Sequence, residues 1–220
     1  MQFRSVFDII GPVMIGPSSS HTAGAVRIGR IARSIFGSEP DRIEVHFFGS
    51  FAETYKGHAT DIAVIGGILL LEPDDERIQE SMTIAEKQGI ELVFHLEESV
   101  PPHPNTIQLT LSKATEKITL TGISVGGGAI QITELNKFQL KLSGEQPAIL
   151  ILHHDVYGTI NSVTNILTSY KINISHMEVS RMEKGKMALM TIETDQPIEE
   201  MVIREIENQA HIIKVVQLKE

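Results

Sequence analysis

Cysteine and tryptophan are both missing from the 220 residues. Without thiols the chain can form no disulfide framework, and it can build no metal or cluster site on its own thiolates. Aromatic residues make up only 5%, so the core has to be assembled from Ile, Leu, Val and Met. No apolar run reaches membrane-spanning length. Met1–Ile10 places Arg4 and Asp8 inside a short apolar stretch, which suits neither a signal peptide nor a membrane span. Basic residues are in deficit, 19 Lys and Arg against 28 Asp and Glu, for a formal net charge of −9. A nucleic-acid binder carries a basic face, and no helix-turn-helix signal is present. The expectation is a cytoplasmic protein that partners neither nucleic acid nor membrane. H-E-x-x-H, EF-hand and phosphate-loop patterns are also missing, so no autonomous metal or nucleotide site is expected.

The residues that are there divide into two segments, 1–144 and 147–220, with Ser143-Gly144-Glu145-Gln146-Pro147 as a short linker. In the second, Ala148–Leu152 reads as an apolar strand and Asp155–Gly158 as a turn. Ile160, Val163, Ile166 and Leu167 recur at helical spacing. Ile172–Arg181 and Met187–Thr194 read as strands around a hairpin at Glu183–Lys186. Pro197 fits a first helical turn, with Ile198, Met201, Val202 and Ile206 on one face, and Ile212–Leu218 closes as a strand. The order β-α-β-β-α-β is ferredoxin-like.

The first segment carries helical spacing over Arg27–Phe36, stopped by Gly37, and again over Ala59–Leu71 and Glu76–Gln88. Ile43–Phe48 and Ile90–Leu96 read as strands. From Thr106 onward the chain alternates at period two, the mark of an antiparallel meander with one wet face. The fold class is therefore α+β, an α/β first domain with a meander followed by a ferredoxin-like module.

Four patches in the first segment bear chemical groups. Gly16–Thr22, with Ser18, Ser19, Ser20, His21 and Thr22, precedes the first helix and could receive a carboxylate on its hydroxyls and free amides. A serine-rich N-cap with an incidental histidine fits the same pattern. Gly49–Asp61 follows an apolar strand and crowds Lys56, His58, Thr60 and Asp61 into about one turn. With Gly57-His58 opening the second helix, its positive end favours a neutral, base-competent imidazole. A capped turn with Lys56 and Asp61 solvated is the plainer reading. Pro101-Pro102-His103-Pro104-Asn105 is either a rigid loop or a rigid presenter of His103 and Asn105. Ser124–Gly128 allows positive φ and close backbone approach, or simply a flexible hairpin. His95 and His211 sit among strand residues and read as structural.

Together these patches resemble the iron–sulfur-dependent L-serine dehydratases. Ser5-Val6-Phe7-Asp8 with Gly16–Thr22 looks like that family's opening, and Lys56-Gly57-His58-Ala59-Thr60-Asp61 resembles its second element; the pair is the specific part. The second segment is similar to ACT domains, with Asp155, Val156, Tyr157 and Gly158 at the ligand-binding turn and Asn173 where a second ligand contact is often supplied. The resemblance implies α,β-elimination of L-serine to pyruvate and ammonia, with a [4Fe–4S] cluster as Lewis acid. Since this chain has no cysteine, it implies the two-chain form, in which a separate alpha chain holds the cluster and this chain ligates none. It further implies His58 as base, His21 as orienting or alternative acid–base group, Ser18–Thr22 on the substrate carboxylate, and His103 and Asn105 on serine. Lys56 and Asp61 would orient the substrate or tune His58. A homodimer through the ACT or N-terminal domain is expected. The rival reading is a purely regulatory serine- or amino-acid-binding module with no catalytic residues of its own.

Overall fold

A computed structural model describes residues 13–218; Ser5–Asp8 lie outside them. By its contacts the chain divides after Asn136. The first unit runs through a π-helical turn at Ser19–Ala23 into α1 (Gly24–Phe36). Then come β1 (Arg42–Gly49), α2 (Ser50–Thr54), α3 (Thr60–Ile68), a 3-10 turn at Glu76–Glu80, α4 (Ser81–Lys87), β2 (Glu91–Glu97), β3 (Asn105–Lys113), β4 (Glu116–Gly126) and β5 (Ala129–Leu135). The strands of this unit lie in the order β2-β1-β3-β4-β5. Only β1 and β2 run parallel; the remaining pairs form the antiparallel meander that the alternation predicts.

Alternation fixes which face of the sheet is dry. Ile43, Val45 and Phe47 of β1, Ile107, Leu109 and Leu111 of β3, and Ile132 of β5 are all fully buried. Each such side chain contributes roughly 1.5–3 kcal/mol by leaving water. Helix α1 buries Ala25, Ile28, Ala32 and Ile35 at three- and four-residue spacing and stops where Gly37 turns left-handed at φ 84°. It starts three residues earlier than the periodicity predicts, because Gly24, Ala25 and Val26 are all buried. Helix α3 is buried over every residue from Ala63 to Ile68, as an interior helix must be. The two helices touch backbone to backbone. A Cβ on Gly67 would collide with the Val26 carbonyl, and one on Gly29 with the Val64 carbonyl.

The second unit holds β6 (Phe138–Leu142), β7 (Ala148–His154), α5 (Thr159–Ser169), β8 (Ile174–Arg181), β9 (Met187–Thr194), α6 (Glu200–Glu207) and β10 (Ile212–Leu218). Four of its strands pair antiparallel in the order β10-β7-β9-β8. From β7 onward the series is β-α-β-β-α-β, as predicted. Its core gathers Ile149, Ile151, Val163, Leu167, Met190, Ile192, Val202, Ile203 and Ile206. Near the Ser143–Pro147 stretch, the Ser143 amide and hydroxyl both donate to Glu193 Oε1, at 3.1 and 2.9 Å, which satisfies that buried carboxylate.

Two expectations for the last helix are corrected. Pro197 is not in its first turn, since α6 begins at Glu200. Met201 is not on the buried face but 56% exposed, and Ile203 is buried instead. At 100° per residue, Val202, Ile203 and Ile206 define one arc and Met201 points away from it.

Candidate functional site

The first unit gathers its polar groups at the carboxyl end of β1. Ser18 caps the turn ahead of α1, its Oγ accepting from the His21 amide at 3.2 Å. The Thr22 amide donates to the Ser18 carbonyl and the Gly24 amide to that of Ser19. These bonds wind Ser19–Ala23 wider than an α-helix, a local form common at functional sites, and drive His21 inward to 9% exposure. Its Nδ1 lies 3.2 and 3.1 Å from the hydroxyls of Ser18 and Ser20, and its Nε2 lies 3.1 Å from the Ser50 hydroxyl.

Ser50 is where β1 hands over to α2. Gly49 before it adopts φ 51° and ψ −127°, and a Cβ there would strike the Pro104 carbonyl; glycine is required on both counts. The Ser50 amide donates to that same carbonyl at 2.9 Å, which ties the 101–105 loop to the end of β1. Within the loop the Asn105 amide donates to His103 Nδ1 at 3.1 Å, and the Asn105 side chain reaches the Ser124 carbonyl at 3.4 Å.

His58 arrives from the turn after α2. Its amide donates to the Thr54 carbonyl, and its carbonyl accepts from the Thr22 hydroxyl at 3.2 Å. It does not open the second helix as predicted: Ala59 intervenes in the left-handed region at φ 56°, and α3 starts at Thr60. The His58 ring stands edge-on to His21, centroids 4.6 Å apart, and Phe51 meets the His21 ring at 5.0 Å. Burial, and secondarily the neighbouring His58, hold the His21 pKa below its ordinary value. His58 Nδ1, Thr60 Oγ1 and Ser124 Oγ are buried with no hydrogen-bond partner among the described residues, the condition of groups that a ligand can satisfy.

The other predicted residues fall around this centre. Lys56 is exposed and its ammonium rests 5.7 Å from the Tyr55 ring centroid. Asp61 is half-buried and accepts from the Ile62 amide at 2.9 Å. Burial pushes its carboxyl up, against the smaller pull of backbone amides and Lys56. Gly126, Gly127 and Gly128 all have positive φ, and Arg27 donates to the Gly128 carbonyl at 3.0 Å. Ser50, Phe51 and Ser124 fall inside patches that the sequence singles out, Gly49–Asp61 and Ser124–Gly128, but no role was assigned to them there. The first two directly follow a strand terminus, and that position was the available signal.

In the second unit the turn after β7 is fastened to the β8–β9 hairpin. The Asp155 carboxylate accepts from the Gly185 amide at 2.8 Å and from Arg181 at 3.1 Å. These bonds, the amide first, keep its pKa below the usual carboxylate value. Val156 and Tyr157 project into solvent, and Gly158 is left-handed at φ 89°. Asn173, just ahead of β8, donates to Asp195 at 2.6 Å. Among the described residues no helix is long and apolar enough to cross a membrane.

Chemically, the first-unit centre offers two facing imidazoles, one kept neutral, with hydroxyls and an unpartnered nitrogen beside them. Such a set can bind a polar ligand and move a proton. Comparison with known proteins finds a different family in each unit. Residues 5–90 match the serine dehydratase beta chain family and residues 148–211 match the ACT domain. The probable L-serine dehydratase beta chain of Bacillus subtilis (strain 168) is 58% identical over 99% of both chains. The L-serine dehydratase beta chain of Peptoniphilus asaccharolyticus is 38% identical over 89% of both. The D-3-phosphoglycerate dehydrogenase of Synechocystis sp. is 26% identical over 86% of this chain but only 34% of its own length. With full-length relatives at these identities, the chain belongs to the L-serine dehydratase beta chain family and ends in an ACT domain.

Proposed function

We propose that this chain is the beta subunit of a cytoplasmic L-serine dehydratase that converts L-serine to pyruvate and ammonia by α,β-elimination. The observation that carries the reading is the end-to-end 58% identity to the Bacillus chain. In this reading the Cα–H bond breaks and its proton passes to His58; the Cβ–O bond breaks, and the departing hydroxide takes that proton back from the His58 imidazolium to leave as water. The enamine that remains hydrolyses to pyruvate and ammonia. His58 suits the base role because a buried ring nitrogen stands unpartnered beside a neutral imidazole. His21, locked by Ser18, Ser20 and Ser50, is the orienting group. Ser18–Thr22 meet the substrate carboxylate, and His103 and Asn105 approach serine from the loop pinned to Ser50. Lys56, Thr60 and Asp61 border the same turn. The residues of this chain do not fit a [4Fe–4S] cluster, because it has no thiolate to offer. The cluster is assigned to a separate alpha chain, where it would supply Lewis acidity toward the substrate hydroxyl. The Asp155–Gly158 turn and Asn173 are assigned an amino-acid effector, in a homodimer formed through the ACT or first domain.

A second reading, a regulatory amino-acid-binding module without catalytic residues, is favoured by one observation. Its likeness to a phosphoglycerate dehydrogenase runs along most of the chain, and that enzyme is named for a different reaction. Anaerobic co-production with the alpha chain, and assay of pyruvate from each chain alone and together, tests the first reading. Turnover is expected only in the mixture. Full turnover by the alpha chain alone, unchanged on adding this chain, overturns it.

A further inference from the structure

The open face of the first unit's sheet carries a second histidine pair, with no part in the proposed elimination. In the parallel β1–β2 ladder His46 stands in register with His95, and their rings stack with centroids 4.3 Å apart and planes 16° from parallel. Glu44 lies two residues before His46 on the same face. One ligand atom from each of Glu44, His46 and His95 falls within 4.8 Å of the others. We propose that Glu44, His46 and His95 bind a divalent cation of the zinc class, water completing the coordination, so that the ion clasps edge strand β2 to β1.

Two surrounding contacts support this assignment. Glu97, two residues beyond His95, places Oε1 2.6 Å from His46 Nδ1. A carboxylate there accepts from Nδ1–H and leaves the lone pair on Nε2, the tautomer that metal-bound histidines with a carboxylate partner ordinarily have. Arg42 donates to Glu44 Oε1 at 2.8 Å and to Glu91 at 2.6 Å, which orients the Glu44 carboxylate without burying it. Imidazole and carboxylate donors without sulfur suit zinc, cobalt, nickel or copper. Around zinc, tetrahedral donors stand about 3.3 Å apart. The three groups must therefore close by at most about 1.5 Å, a movement open to His95, which is exposed, and to the half-buried Glu44 and His46.

Cobalt is the probe. The purified full chain, stripped with chelator and titrated with Co(II), is expected to develop visible d–d bands that saturate at a single equivalent and vanish on adding zinc. His95→Gln and His46→Gln are expected to abolish them. Glu97→Gln is expected to weaken binding about 10–100-fold. His21→Gln and His58→Gln should leave the bands intact. Because His95 is exposed, His95→Gln tests the site without risk to the fold, and far-UV circular dichroism checks the His46 variant. Bands that persist in His95→Gln, or no bands in the wild type at about 1 mM Co(II), overturn the assignment.

Discussion

The rings of His21 and His58 meet edge to face at 4.6 Å, although 36 residues separate them in the chain. Both nitrogens of His21 are engaged by serine hydroxyls, whereas Nδ1 of His58 has no partner. One ring is therefore fixed as a fitting and the other left free to exchange a proton. That asymmetry distinguishes their roles.

His58→Gln in the assembled two-chain enzyme is expected to lower kcat by about 10²–10⁴, the usual contribution of a positioned base, with little change in KM. Steady-state pyruvate formation measures this, alongside visible absorbance and gel filtration of the complex. Near-normal turnover would remove His58 from the base role. Ser50→Ala acts through His21 alone and is expected to cost less, leaving the free ring in place.

Acid stability gives a second measurement. The folded-state pKa of His21 lies below its ordinary 6.5, through burial and then through His58. As pH falls below 6.5, the unfolded chain takes up the proton before the folded one, so stability declines until the folded pKa is passed. His21→Gln removes that term. Urea unfolding between pH 7.5 and 5 is expected to show a steeper acid loss for the wild type than for the variant; parallel curves would refute the assignment.

Gly67→Ala tests the helix contact. Its new Cβ lands on the Val26 carbonyl, and backbone cannot rotate away as a side chain could. A destabilisation of about 1–3 kcal/mol or more is expected, read as a lower Tm. Because α1 follows His21 and α3 follows His58, turnover should fall as well. Gly37→Ala meets no neighbouring atom, and only its left-handed φ is strained; its cost is expected to be smaller and confined to stability.

In the ACT domain, Asp155→Asn weakens the grip on the hairpin, since the carboxylate accepts from the Gly185 amide and from Arg181. Hydrogen exchange at Gly185 is expected to accelerate, with amides in β7 unchanged. Equal protection in both proteins would show that the hairpin holds itself.

Periodicity made most of this fold legible. Ile28, Ala32 and Ile35 announced α1, Gly37 ended it, and alternating Ile107, Leu109 and Leu111 announced a strand with one dry face. The ferredoxin-like order came from spacing alone. What stayed hidden depends on partners distant in the chain. The inward His21 ring is met by the Ser50 hydroxyl, and no local pattern encodes that bond. Met201 looked equivalent to Val202 until the start of α6 set the phase. The cross-strand stack of His46 on His95 depends on ladder register, which a lone strand does not reveal. Ser50 lay within the Gly49–Asp61 patch without a role of its own, because a serine after a strand has many uses.

The position of β1 bears on synthesis. It lies between β2 and β3, both of which leave the ribosome later, and β3 ends only at Lys113. Until then Ile43, Val45 and Phe47 occupy a strand with an unsatisfied edge, the kind of surface that aggregates. Translation of the stretch from β1 to β3 is therefore this chain's exposed interval, and a pause there is the point at which a chaperone would matter most.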